Sequence, residues 1–136
     1  SPSSLICLSP VVDFTFEQLH VPPAGDPLLN MSWLLQAVDA FCPAGVPRHE
    51  PGLSPIEADL GGLPPLLIQV GEDEILLNDS YRLADRARSA GVSVQLEFYP
   101  GLWHVFQANT GLLRAADHAI ERMVGFLRAV MSSASG

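Results

Sequence analysis

The residues best suited to acid–base chemistry are an acidic run at positions 72–74 and His104. The run Glu-Asp-Glu directly follows the apolar stretch 66–70, and His104 comes shortly after the alternating segment 92–99. A carboxylate held against one imidazole nitrogen fixes the tautomer, so that the other nitrogen can accept a proton. Neighbouring parallel strands would bring the two groups together at one edge of a sheet. Taken alone, an acidic turn after a strand is more often a solvated loop, and an isolated histidine more often a surface or satisfied side chain, than part of a catalytic pair.

Hydrophobic patterning predicts the elements that would position these groups. Strands are expected within 4–12, 66–70 and 92–99, and helices over about 30–41, 78–90 and 112–131. The run 66–70 is typical of a strand buried on both faces, whereas 92–99 alternates like a half-buried strand. The alternation of strands and helices predicts an α/β architecture with a small parallel sheet. The buried face of the last helix is expected to consist of Ala116, Ile120, Met123, Phe126, Leu127 and Val130.

Local signals mark where these helices begin and end. Asn30 or Ser32 can cap the first helix, and the second is expected to start near Asn78 or Asp79. Gly91 is the expected left-handed stop of the second helix.

Composition excludes several classes of partner. The sequence contains seven basic residues, all arginine, and fifteen acidic residues. The resulting net charge of −8 disfavours a nucleic acid partner. The apolar runs are too short to cross a bilayer, and the sequence shows no signal peptide. Two cysteines, Cys7 and Cys42, form neither a disulfide framework nor a metal-ligand spacing, so a reducing cytoplasm is the expected compartment.

Several stretches of the sequence closely resemble one known family. They are LSPVVDFT at 8–15, SPIEADL at 54–60, GLPPLLIQVG at 62–71, EILLNDS at 74–80 and GLWHVF at 101–106. Together they resemble the hormone-sensitive-lipase-like branch of the α/β-hydrolase fold, and they extend over nearly the whole chain. The resemblance implies hydrolysis of small carboxylic esters with short or medium acyl chains and no cofactor. Carboxylate first and histidine second is also the chain order of the α/β-hydrolase triad.

The resemblance implies His104 as the general base, and two carboxylates compete to be its acid. Many family members carry Asp-Pro-Leu in the acid loop, where this chain has the sequence Asp-Glu-Ile-Leu-Leu at 73–77. Aligning the following helix places Glu74 at the acid position, whereas counting from the end of the strand favours Asp73. We expect Glu74, with Asp73 as the second choice. Trp33, Leu34 and Trp103 are candidates for a substrate pocket, although such residues also suit an ordinary core.

The sequence departs from the family pattern by lacking a nucleophile motif. It contains no Gly-x-Ser-x-Gly and no His-Gly-Gly-Gly oxyanion segment. We therefore expect residues 1–136 to be the C-terminal portion of a single α/β-hydrolase domain, with three parallel strands, flanking helices and neither nucleophile elbow nor N-terminal cap. The chain alone is expected to be inactive, because it lacks the serine that His104 would deprotonate. It is also expected to need its N-terminal portion or self-association, because the strand near residues 5–8 would form a bare edge. The alternative is a non-catalytic interaction or dimerisation module derived from such an esterase.

Overall fold

Three strands and three α-helices alternate along the chain. The computed structural model describes residues 2–133, which contain strands β1 (Leu5–Leu8), β2 (Leu66–Gly71) and β3 (Val94–Tyr99). They also contain helices α1 (Met31–Phe41), α2 (Leu77–Ser89) and α3 (Arg114–Ser133), and short 3₁₀ turns at Pro55–Glu57 and Phe106–Asn109. The predicted order of elements and the α/β fold class are therefore confirmed.

The sheet is parallel throughout and has the order β1-β2-β3. Ile68 pairs with Cys7 on one side and with Leu96 on the other. All six residues of β2 are buried, as its continuous apolar run predicts for a central strand. Because the strands run in the same direction, the loops that follow all three leave from one edge of the sheet.

Helices cover both faces of β2. On one face Leu66 and Ile68 pack in the same apolar cluster as Leu83, Ala84 and Ala87 of α2. On the other face the Gln69 side-chain amide donates a hydrogen bond of 2.9 Å to the carbonyl of Ala119 in α3. Apolar packing against α2 on one face and a hydrogen bond to α3 on the other therefore hold β2 between the two helices.

The expected buried face of the last helix is only partly buried. Helix α3 begins at Arg114, and its fully buried residues are Ala116 and Ala119. Ile120 and Leu127, which were expected to be buried, are each 37% exposed. The small alanines let the first turns of α3 approach the sheet closely, whereas the side chains of the later turns are less covered.

The helix termini combine local and long-range contacts. Asn30 caps α1, its side-chain oxygen accepting a bond of 2.8 Å from the Trp33 amide. Gly91 adopts a φ of 81° immediately after α2, the left-handed conformation expected of a glycine stop. Helix α2 starts at Leu77 without a side-chain cap, because its N-cap residue is Leu76, whose side chain carries no polar group. The Asp79 carboxylate, in the first turn, accepts from the amides of a distant segment at 12–13.

Helix α1 lies beside the loop that follows β2. Its buried residues Leu34 and Val38 pack with Phe16, Ile75 and Leu76 in a cluster separate from the one beneath α2. This places an apolar surface next to the edge where the strands end. Within residues 2–133, no helix combines the length and apolar character required to traverse a bilayer.

Candidate active site

The loops after β2 and β3 are bonded directly to each other. Gly71 pairs with Tyr99 at the ends of the two strands, and the Asp73 amide donates to the Leu102 carbonyl at 2.9 Å. A Cβ atom on Gly71 would lie only 2.2 Å from that same carbonyl oxygen. Only glycine permits this close approach, which draws the loop containing His104 against the loop containing Glu74.

Glu74 and His104 meet at this junction. His104 Nδ1 lies 3.1 Å from Glu74 Oε2, with the glutamate side chain fully buried and the imidazole 23% exposed. Because an ionised carboxylate only accepts hydrogen bonds, Nδ1 carries the proton in this contact and Nε2 is left as the proton acceptor. The arrangement is that of an oriented base.

Further donors satisfy the other oxygen of the buried carboxylate. Glu74 Oε1 accepts 2.6 Å from the Gly71 amide and 2.9 Å from the Ser9 hydroxyl. A carboxylate taken out of water is costly unless such partners replace its hydration. Ser9 was not identified from the sequence. Its only local signal is its position directly after β1, which places it at the edge of the sheet where Glu74 and His104 lie.

The second acid candidate lies elsewhere. Asp73 lines a different cavity with His20 and Tyr81, and the structure places Glu74, not Asp73, in hydrogen-bond contact with His104. The two carboxylates are adjacent in sequence, but they are directed into separate environments.

An apolar cavity of about 460 Å³ opens beside His104. Trp33 and Leu34 of α1, two of the three candidates for a substrate pocket, form part of its wall. Trp103 is not among the described residues that line this cavity, and it packs instead against the cluster of Phe106, Ala116 and Ala119. The remaining lining residues are Val11, Phe14, Phe16, Leu29, Ala37, Val38, Phe41 and Leu76.

A buried carboxylate and an ion pair hold the segment that carries Val11 and Phe14. Asp79 Oδ2 accepts from the amides of Val12 at 2.9 Å and Asp13 at 3.2 Å, and burial raises the pKa of Asp79. Arg82 Nη1 lies 2.7 Å from Asp13 Oδ2. Burial acts to raise the pKa of Asp13, but its hydrogen bonds with Thr15 and Arg82 outweigh that effect and lower it. Helix α2 thus anchors one wall of the cavity.

The described residues offer no metal site. Among residues 2–133, no group of three or more histidine, cysteine, aspartate or glutamate side chains is placed to hold an ion. The chemistry that the described groups can supply is proton transfer at His104 beside an apolar cavity.

Comparison with known proteins identifies relatives with ester-hydrolase names. A family model described as alpha/beta hydrolase fold matches residues 1–108. An esterase of Acinetobacter venetianus is 36% identical over 127 residues, covering 92% of this chain and 42% of the relative. An acetyl-hydrolase of Streptomyces hygroscopicus is 36% identical over 129 residues, covering 93% of this chain and 43% of the relative.

Solved structures show the same likeness in three dimensions. A hormone-sensitive lipase from a metagenome library superposes with a TM-score of 0.85 at 39% identity, covering 94% of this chain and 44% of that one. The hormone-sensitive lipase homologue EstE7, also from a metagenome library, superposes with a TM-score of 0.87 at 38% identity, with coverages of 95% and 45%. The chain spans less than half the length of these relatives. Since the family model matches most of its residues, and its strands and helices superpose on those of the hormone-sensitive lipases, the chain belongs to the α/β-hydrolase fold family.

Proposed function

We propose that this chain supplies the general base and the orienting carboxylate of a carboxylic ester hydrolase. The observation that carries the proposal is the contact of 3.1 Å between Glu74 and His104, with His104 also forming part of the wall of an apolar cavity. The esterase and acetyl-hydrolase names of the relatives support the same reaction class. The proposal needs no cofactor.

The chemistry follows from the tautomer that Glu74 imposes. His104 Nε2 takes the proton from an attacking serine hydroxyl as its oxygen bonds to the ester carbonyl carbon, and Glu74 stabilises the imidazolium that forms. His104 then gives that proton to the departing alkoxide as the ester C–O bond breaks and an acyl-enzyme forms. Water then attacks the acyl carbonyl carbon while His104 takes its proton, and His104 gives that proton to the serine oxygen as the acyl–serine C–O bond breaks and the carboxylic acid leaves. The apolar cavity suits a short or medium acyl chain.

Ser9 lies beside the pair, but its surroundings do not suit the nucleophile. Its side chain is buried, and its hydroxyl already donates to Glu74 and accepts from the Val105 amide at 3.2 Å. The sequence also contains no Gly-x-Ser-x-Gly motif. We therefore assign the nucleophile and the oxyanion donors to polypeptide outside these 136 residues, in the same protein. Within residues 2–133, β1 pairs with β2 and with no other strand, so this polypeptide would lie beyond the other edge of β1.

The direct test is ester hydrolysis by the complete protein that contains this sequence. We expect p-nitrophenyl acetate and butyrate to be hydrolysed, and His104→Ala to lower kcat by about a thousandfold or more, because the members of a triad act as a unit. His49→Ala, which alters an exposed histidine remote in sequence from the loop, is the matched control and should retain the rate. A complete protein without hydrolysis, or a fully active His104→Ala variant, would contradict the proposal.

Covalent labelling separates an esterase from a non-catalytic interaction module. A fluorophosphonate probe should label a serine of the complete protein, whereas the 136-residue chain should show neither labelling nor turnover. Turnover by the chain alone that disappears on His104→Ala would refute the assignment of the nucleophile to other polypeptide. Absence of labelling in the complete protein would favour the non-catalytic module.

A further inference from the structure

We propose that Ser9 is a positioning residue that fixes Glu74 against His104, a role that rests on the proposed function. Ser9 directly follows β1 and is 2% exposed. Its hydroxyl donates to Glu74 Oε1 at 2.9 Å and accepts from the Val105 amide at 3.2 Å. One oxygen atom therefore joins the carboxylate to the backbone of the residue next to the histidine.

The backbone conformation of Ser9 supports a functional role for its hydroxyl. Ser9 has a φ of 46° and Val105 a φ of 50°, a left-handed region that disfavours residues other than glycine. Glycine would relieve the strain at either position. The two strained residues are bonded to each other, and Val105 directly follows His104. Strained residues that persist beside a reactive pair point to function, and here glycine could not supply the hydroxyl.

The hydroxyl also determines how the carboxylate is oriented. Ser9 and the Gly71 amide together occupy Oε1 of Glu74, which leaves Oε2 for His104. Without the hydroxyl, Oε1 keeps only the Gly71 amide, and the Val105 amide loses the partner that ties it to β1. The carboxylate then gains rotational freedom at the same time as the histidine loop loses an anchor. Small losses of alignment between catalytic groups have large effects on rate.

Two substitutions separate positioning from mere stability. Ser9→Ala and Ser9→Gly both remove the hydroxyl, but glycine tolerates the φ of 46° and should give the higher Tm. In the complete protein we expect both variants to lower kcat for p-nitrophenyl butyrate by a similar factor, about 10- to 100-fold, and to leave KM within about twofold of the original. A purely structural serine would instead make activity follow Tm, with Ser9→Gly close to the unmodified protein.

The matched control is another buried serine. Ser80 lies in α2, and its hydroxyl has no hydrogen-bond partner among the described residues. Ser80→Ala should retain both kcat and KM. Together the three variants compare removal of a buried hydroxyl bonded to Glu74 with removal of a buried hydroxyl that bonds to neither Glu74 nor His104.

A second measurement does not depend on turnover. In ¹⁵N-histidine-labelled complete protein, the Nδ1–H of His104 should give a downfield proton resonance that disappears in His104→Ala. We expect the resonance to persist in Ser80→Ala and to broaden or disappear in both Ser9 variants. If the complete protein hydrolyses no ester but the resonance responds in this way, the proposed function fails while the positioning of the pair by Ser9 stands. An unchanged resonance and unchanged kcat in both Ser9 variants would overturn the inference, as would the absence of the resonance from the unmodified protein.

Discussion

His104 is bonded to Glu74 through Nδ1, while the neighbouring Asp73 is directed into a different cavity. Two adjacent carboxylates therefore occupy distinct chemical environments at the end of one strand. Because the two residues have the same charge and are adjacent in the chain, substituting each in turn compares the two environments directly.

Exchange of each carboxylate for its amide should distinguish them. We expect Glu74→Gln in the complete protein to lower kcat by about a thousandfold, because an amide can present the wrong partner to Nδ1 and gives no charge to stabilise an imidazolium. Asp73→Asn is the matched control and should stay within about threefold of the original rate, a difference of about 0.7 kcal/mol, because Asp73 faces a different cavity from the one beside His104. Steady-state kinetics on p-nitrophenyl butyrate would check both values. Equal losses in the two variants would contradict the assignment of Glu74.

Gly71 should not tolerate a methyl group. The Cβ of Gly71→Ala would lie 2.2 Å from the Leu102 carbonyl oxygen, so the loop that leads to His104 must move. We expect a loss of about 1–3 kcal/mol in the free energy of unfolding, as for other overpacked sites. Gly125→Ala is the control, because nothing lies within 4 Å of its Cβ position in α3. It should gain up to about 1 kcal/mol from helix propensity. Denaturant unfolding would measure both, and a neutral Gly71→Ala would show that the loops can separate without cost.

The size of the cavity should set the preferred acyl chain. Ala37 lines the cavity, so Ala37→Phe should lower kcat/KM for longer acyl esters by about 10-fold or more while affecting acetate less. Ala40→Phe on the same helix changes an exposed position that is not among the described lining residues, and it should leave the preference unaltered. A series of p-nitrophenyl esters from acetate to octanoate would report the ratio. A parallel loss for every chain length would argue that the acyl group binds elsewhere.

Acidification should weaken the contact between the sheet and α3. Burial acts to raise the pKa of Glu97, but hydrogen bonds with Gln69, Arg122, Gln95 and Tyr99 together lower it below its usual 4.5. Since the folded-state pKa is the lower one, the stabilising contribution of the carboxylate is present above pH 4.5 and is lost as the pH falls through the folded value. Glu97→Gln should therefore give a flatter decline of Tm on acidification.

Removing one of the donors should have a smaller effect of the same kind. Arg122→Gln eliminates the contact of 2.7 Å between Arg122 Nε and Glu97 Oε1. Calorimetry across the acid range should place this variant between the unmodified protein and Glu97→Gln. An acid decline in Glu97→Gln as steep as in the unmodified protein would show that other groups determine it.

Local sequence signals predicted the parts of the fold that depend on local physics. The apolar run of β2, the Asn30 cap and the Gly91 stop each depend on neighbouring residues, and each was found where expected. The proximity of the loops that carry Glu74 and His104 followed from parallel topology. By contrast, the contacts of Ser9 and the packing of Trp103 against Phe106, Ala116 and Ala119 depend on segments distant in sequence, which no local pattern encodes.

The last helix also shows what local sequence patterns do not predict, namely how much of an apolar face is buried. Its periodicity correctly predicted a helix, but periodicity gives the apolar face and not the amount of sheet available to cover it. Ala116 and Ala119 are buried in a cluster with Phe106, while Ile120 remains partly exposed. The amount of cover is a property of the assembled layers.

The Ser9 hydroxyl has a consequence for the order of folding. It joins positions 65 residues apart at Glu74 and 96 apart at Val105, whereas Glu74 and His104 are separated by 30. Contacts of such long sequence separation form only after the chain entropy of large loops has been lost. A partly folded intermediate that contains β2 and α2 but has not yet docked β1 lacks the Ser9 contact to Glu74. The alignment of the proposed base therefore depends on the docking of β1 as well as on the two loops that carry the pair.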